Sequence, residues 1–376
     1  MAPVDQAQLP APTTYLRRSW PALVTLGACL AVVLVVLASS DWDALELARL
    51  GTRYAEGDPE GSAGYDGQFA YYIALDLRPK VVSARLDVPA YRYQRILYPL
   101  LARLASGGRA EAIPWALLGV NLAAHAAGAW LVSELLAQRG VARGYALTYG
   151  LWVGFVYAVR LDLNEPLAYA LVAGGLWAWA RGKVWTSALL YGLALFAKET
   201  TLIFFAAQCL ACLLAGRLRQ LARMAAAGLG PFLLFQAWLY LQFGSPGLSS
   251  GGDLATPFEV LPYRGFWQIA DSGWGVFLLF AATFGLSLVL PSIWGVLASG
   301  RRLLSSDRHH DVLALLANAG IMAFVPFSTY REPLGVTRFA CGLVLAIMLF
   351  GAHTGSRRIL NYSLFWIPML VMLVNG

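Results

Sequence analysis

Residues 185–215 read WTSALLYGLALFAKETTLIFFAAQCLACLLA, two apolar runs that meet at the charged tripeptide Lys198-Glu199-Thr200. Each run is shorter than the roughly 20 residues an α-helix needs to cross a bilayer. Basic residues flank the pair, with Arg181 and Lys183 before it and Arg217 and Arg219 after it. The pattern reads as two membrane helices joined by a turn, and comparable apolar runs recur along most of the chain. The composition agrees. Of 376 residues, 59% are hydrophobic and 13% charged, with a mean hydropathy of +0.59. A soluble domain of that length needs far more charge to cover its surface.

The expected fold class is therefore an all-α integral membrane protein, because backbone groups in lipid must be satisfied within each helix. Spanning segments are expected near residues 21–39, 113–137, 145–160, 165–180, 185–197, 201–215, 222–243, 273–298, 312–328, 334–353 and 359–375, about eleven in a single polytopic domain covering 1–376. The first run follows Arg17 and Arg18 and is longer than the core of a typical signal peptide, so it reads as a retained helix. A net charge of +7 does not mark a nucleic-acid binder, since the basic residues fall in twos and threes between apolar segments. With the N-terminus inside, the inner segments carry Arg17 and Arg18, Arg139 and Arg143, Arg181 and Lys183, Arg217, Arg219 and Arg223, Arg301, Arg302 and Arg308, then Arg357 and Arg358. The positive-inside rule thus predicts a plasma-membrane protein with a cytoplasmic N-terminus and an extracytoplasmic C-terminus.

Two outer segments are long, residues 40–112 and 244–272, and long loops in a compact protein usually carry function. Tyr65 to Leu77 (YDGQFAYYIALDL) and Tyr91 to Leu104 (YRYQRILYPLLARL) mix apolar and polar residues as surface helices do, the second broken by Pro99. The second loop is Gly/Ser-rich at its start and aromatic at Phe258, Tyr263, Phe266 and Trp267, as a flexible lid or an interfacial anchor would be. Three short outer turns share one chemistry: Arg160-Leu-Asp162-Leu-Asn164-Glu165-Pro166, Lys198-Glu199-Thr200 and Tyr330-Arg331-Glu332-Pro333. Each sets a cation and a glutamate at a helix start. Helix N-termini and cations suit a phosphate, and charge at membrane depth tends to mark a site. Arg160, Lys198 and Arg331 are the candidate phosphate-binding cations, with Arg338 one helical turn beyond Pro333. Each turn also has a purely local reading, with the glutamate capping its helix and the cation solvated.

At Tyr65-Asp66-Gly67-Gln68 the chain resembles the catalytic loop of the GT-C glycosyltransferase superfamily, which includes the GPI and protein mannosyltransferases. YDGQFAYYIALD, RILYPLLA, DLNEPLA, AKET and YREPLG are similar to a bacterial branch associated with cell-surface glycopolymers, and the resemblance runs from Tyr65 to Gly342. It implies sugar transfer from a polyprenyl-phosphate donor to a glycan or lipid acceptor at the extracytoplasmic face of the membrane. Asp66 is then the expected base, with Asp76 a second candidate. Tyr65, Gln68, Asp162, Asn164, Glu165, Glu199 and Glu332 are expected in the substrate pocket. Many members of the superfamily carry two adjacent acidic residues in this loop, where Tyr65 here precedes a single Asp66. No metal or nucleotide cofactor is indicated by motif, although some relatives use a divalent ion and the outer carboxylates leave that open. The competing function is a transporter that moves lipid-linked glycans without chemistry.

Among the remaining residues, Asn121 and His125 share a helix face and are expected to form a polar stripe toward the bundle interior. The four cysteines lie in apolar runs, so neither a disulfide framework nor a zinc site is expected of them, Cys209 and Cys212 included. His309 and His310, beside Asp307 and Asp311, read as solvated residues of an inner turn.

Overall fold

The computed structural model describes residues 12–249 and 251–373, and within them the chain is helical with no strand. Four helical stretches are long and apolar enough to cross a membrane: Arg18–Ala38, Ala110–Gln138, Leu218–Phe243 and Trp274–Leu304. A fifth appears if Pro333–Phe339 and Cys341–His353, bent by 44° at their junction, count as one span. Their outer faces carry exposed Val35, Leu234, Leu241, Leu279 and Leu286, apolar side chains that water would disfavour and lipid accommodates.

The shorter helices fill the interior. Cys341–His353 is buried at every residue from Cys341 to Ala352, as expected of a helix apolar on all sides. It packs on His310–Met322, which in turn packs on Leu202–Leu214 and Leu290–Leu304. Ile113–Gln138 packs on Pro12–Ala38 and on Glu165–Ala180, and the latter on Val184–Ala197. The polar stripe lies inside the bundle. Asn121 Nδ2 donates to the Tyr98 hydroxyl at 2.8 Å and to the Leu163 carbonyl at 3.0 Å, and His125 Nε2 lies 2.9 Å from the Gly150 carbonyl. All four cysteines are free.

Three expected segments differ in detail. Residues 145–160 are not one helix: a short helix, Leu147–Gly150, gives way to Val153–Arg160. Trp152 sits at the break, its indole N–H donating to the Thr337 carbonyl at 2.9 Å. A Cβ at Gly154 would stand 2.2 Å from that same carbonyl, so this stretch is broken where it packs closely against the chain at Thr337. The expected span 312–328 stops at Met322 and resumes as Phe327–Arg331 after Pro326. Residues 359–375 become a helix, Arg357–Ser363, and a 3-10 stretch, Leu364–Leu373, around Pro368; Asn375 and its neighbour Val374 lie outside the described residues.

The first long loop is a folded cap rather than a strip on the membrane. Its helix Gly67–Leu75 is buried along most of its length and packs on Leu97–Ala105. The second expected helix is interrupted at Gln94–Ile96, between Pro89–Tyr93 and Leu97–Ala105. Pro99 is not the break because it stands in the first turn, where its missing N–H has no partner to lose.

Candidate reaction cavity

Asp66 owes its position to the residue after it. A Cβ on Gly67 would fall 2.2 Å from the Leu161 carbonyl, so glycine lets the start of this loop helix press against the turn at residues 161–165. Its backbone is ordinary right-handed helix, and close approach is the property in use. Asp66 does not cap the helix with its side chain. Its carboxylate instead accepts from Arg92 Nη1 at 2.9 Å and from Arg338 Nη2 at 3.0 Å, and it stays 31% exposed toward the cavity. Burial alone would raise its pKa; Arg92, Arg338 and Arg95 outweigh that and hold the carboxyl well below the usual range.

The other charges interlock behind it. Glu165, fully buried, accepts from Lys198 Nζ and from Arg338 Nε, each at 2.8 Å. Arg338 Nη1 donates to the Tyr65 hydroxyl at 3.0 Å, and that hydroxyl bonds Glu332. Arg92 also grips Asp87 with two bonds of 2.7 Å, while Arg95 holds Glu199, its Nε donating to Oε2 at 2.8 Å. None of the helices beginning at Glu165, Leu202 and Pro333 has a side-chain cap. The glutamates of the three turns are therefore drawn into the charge network.

All residues of this network except Arg95 and Glu199 line a cavity of about 460 Å³. Its walls carry the cations Arg53, Arg92, Lys198, Arg331 and Arg338 and the carboxylates Asp66, Asp87, Glu165, Asp253 and Glu332, so formal charge balances. An entering anion must share most of the cations with their carboxylates. Arg331 and Arg53 differ, with no carboxylate within 4.0 Å of either among the described residues, and Arg331 is the more exposed of the two. The second long loop closes one side through Gly252, Asp253, Leu254 and Ala255, with the Asp253 N–H donating to Asp87 at 3.2 Å.

Of the residues expected in the site, Tyr65, Asp66, Gln68, Glu165, Lys198, Arg331, Glu332 and Arg338 line this cavity. Gln68 works as a clamp within the loop, accepting from Gly51 N at 3.0 Å and donating to the Ala63 carbonyl at 2.7 Å. Asp162 and Asn164 border a small space of about 20 Å³ behind Asp66. Asp162 occupies the left-handed corner, φ 52°, that ends Val153–Arg160, a conformation Asp tolerates; its buried carboxyl meets the Tyr98 hydroxyl at 3.4 Å. Glu199 sits behind the wall, paired with Arg95. Arg160 and Asp76 do not line the cavity. Asp76 is tied to Arg78 outside it, and those hydrogen bonds hold its carboxyl at about 2. Arg92, Arg95 and Asp87 were not anticipated. A signal for the arginines was present: they stand three apart, as residues sharing a helical face do, in a loop expected on the outer side, where arginine runs against the topology rule.

Beside the cavity lies an apolar groove of about 600 Å³ between Leu202–Leu214 and His310–Met322, lined by Leu202, Ala206, Leu210, Leu313 and Ile321 and by Phe258 of the second loop. Phe339 borders both spaces. Comparison of the chain with protein-family models, with curated proteins and with solved structures gives no match.

Proposed function

We propose that this chain is a polytopic glycosyltransferase of the GT-C type that moves a sugar from a polyprenyl-phosphate donor to a glycan or lipid acceptor at the extracytoplasmic face of the membrane. The observation that carries this reading is the junction of a charged cavity with a dry groove, meeting at Phe339. A lipid phosphate requires both surfaces at once. The isoprenoid chain occupies the groove, the phosphate reaches Arg331 and the Lys198–Arg338 pair, and the sugar lies over Asp66. In this reading about eleven segments cross the membrane with the N-terminus inside, and the short buried helices are sheltered by the four long ones, as irregular helices at membrane depth require.

In the transfer step the acceptor hydroxyl oxygen bonds to the anomeric carbon from the face opposite the phosphate. The carbon–oxygen bond to phosphate breaks, with inversion, and its electron pair leaves with the polyprenyl phosphate. The hydroxyl proton passes to Asp66. A carboxylate held down by arginines is a weak base, and it suffices here because the hydroxyl becomes strongly acidic only as its oxygen bonds to an oxocarbenium-like carbon. The guanidiniums stabilise charge developing on the phosphate. Asp66→Asn tests the reading: it should lower transfer by about 10²–10⁴-fold while the protein still folds and binds the lipid donor. Full transfer in that variant rejects Asp66 as the base, and a wild-type chain that moves the lipid-linked glycan across the bilayer without transferring sugar favours the transporter.

A further inference from the structure

The end of the bundle remote from the cavity carries a side-chain cluster that sugar transfer does not use. Cys341–His353 begins just after Arg338 and runs 13 residues, about 20 Å, to His353. There it meets His309 and the first residues of His310–Met322. The His353 and His309 rings lie face to face, centroids 4.1 Å apart and planes 9° apart, and His310 stands 4.0 Å from His309. Asp311 is completely buried among them. Arg139 Nη2 comes within 2.7 Å of its Oδ2, His309 Nδ1 within 3.3 Å of the same oxygen and His310 Nε2 within 3.5 Å of Oδ1, but none of these contacts has the alignment of a good hydrogen bond. A ring nitrogen of His309, a carboxylate oxygen of Asp311 and a ring nitrogen of His353 lie within 4.8 Å of one another.

Buried polar groups are normally hydrogen-bonded, and each exception calls for a reason. Two imidazoles beside a buried carboxylate form a ligand set, one ring turning out of the stack so that its in-plane lone pair meets the same ion as the other's. Two nitrogens and one oxygen suit a borderline ion such as zinc better than magnesium or calcium, which prefer all-oxygen shells. Donors around tetrahedral zinc stand about 3.3 Å apart, from bonds of about 2.0–2.1 Å, so closing the site takes shifts on the order of 1 Å together with rotation of one imidazole out of the stack. Asp307, 3.0 Å from His353 Nε2, supplies the carboxylate that commonly orients a ligating histidine.

We propose that His309, Asp311 and His353 bind one divalent transition-metal ion of the zinc class. The ion would pin together the two helices whose other ends lead to Arg331 and Arg338. The site stands independently of what the cavity does.

The test uses full-length protein without a polyhistidine tag, purified in detergent, stripped with chelator, incubated with zinc chloride and desalted. Metal analysis should find about one zinc per chain, with a zinc-dependent rise in melting temperature. The double variant His309→Asn, His353→Asn should hold at least tenfold less zinc and lose that rise. Wild-type protein that retains no zinc, or a double variant that retains as much, overturns the proposal. If the variant aggregates, cobalt loaded into the wild-type chain decides: the strong visible absorption of a four-coordinate site supports the assignment, and the weak spectrum of octahedral aqueous-type cobalt refutes it.

Discussion

Glu165→Gln removes the one carboxylate that Lys198 and Arg338 share. Arg338 retains Asp66 at 3.0 Å; Lys198, its side chain 10% exposed, has no other carboxylate within 4.0 Å among the described residues. Leaving one member of a buried pair alone costs about 3–5 kcal/mol. A second route to the same figure treats Lys198 as escaping by losing its proton. At pH 7 that costs a lysine of ordinary pKa 10.4 roughly 4.6 kcal/mol, which bounds the penalty from above. Burial already draws Lys198 below its ordinary pKa, and Glu165 is the main group opposing it. In the variant the folded-state pKa is therefore depressed further, the unfolded chain binds more protons, and stability must rise with pH up to about 10.4. Scanning fluorimetry in detergent at pH 7 should show a melting temperature lower by on the order of 10 °C, a gap that narrows toward pH 10. Adding Lys198→Met should restore much of the loss at pH 7. A variant that melts within 2 °C of wild type, with no pH dependence, would refute the buried network.

Gly67→Ala should destabilise by about 1–3 kcal/mol through overpacking against the Leu161 carbonyl and depress transfer with it, whereas Gly119→Ala, in open space within a helix, should be neutral or stabilising by up to about 1 kcal/mol; thermal melts of both compare the two. Arg331→Ala should raise the KM for lipid donor about tenfold with an unchanged melting temperature, and Arg160→Ala, outside the cavity, should leave KM unaltered. Because the Asp66 pKa is lowered, its stabilising pairs form above the ordinary carboxylate pKa of about 3.9 and weaken only as pH falls below it. The acid limb of the rate profile should consequently lie below about pH 5 where Asp66 governs it, and an Asp66-dependent limb near pH 6 would contradict the arginine pairing.

The apolar runs and the chemistry of the charged turns were legible because lipid imposes them residue by residue. Lys198, Glu165, Arg331 and Arg338 could be grouped on that basis, and the structure brings them to one cavity. The cap over the cavity was not legible. Arg92 finds Asp66 across 26 residues and Arg95 finds Glu199 across 104, and no local pattern encodes such pairings. Arg160 and Arg331 look alike in sequence, yet only the latter lines the cavity; the chain after Arg160 turns through the left-handed corner at Asp162 and buries its polar groups against Tyr98. Residues 145–160 have the hydrophobicity of a span, but a break at Trp152 serves contacts with Thr337 that only the folded bundle supplies. The histidines of residues 309 and 310 gained a meaning only when His353 arrived from another helix.

In the proposed function one cavity receives the phosphate of a membrane lipid. A cryo-EM map of the chain in lipid nanodiscs with a polyprenyl-phosphate sugar bound tests it most directly. The expected map shows phosphate density within about 3 Å of Arg331 and of Lys198 or Arg338, with isoprenoid density along Leu202, Leu210 and Phe339. A saturated complex whose phosphate lies elsewhere, with the cavity's ion pairs unchanged, would contradict it.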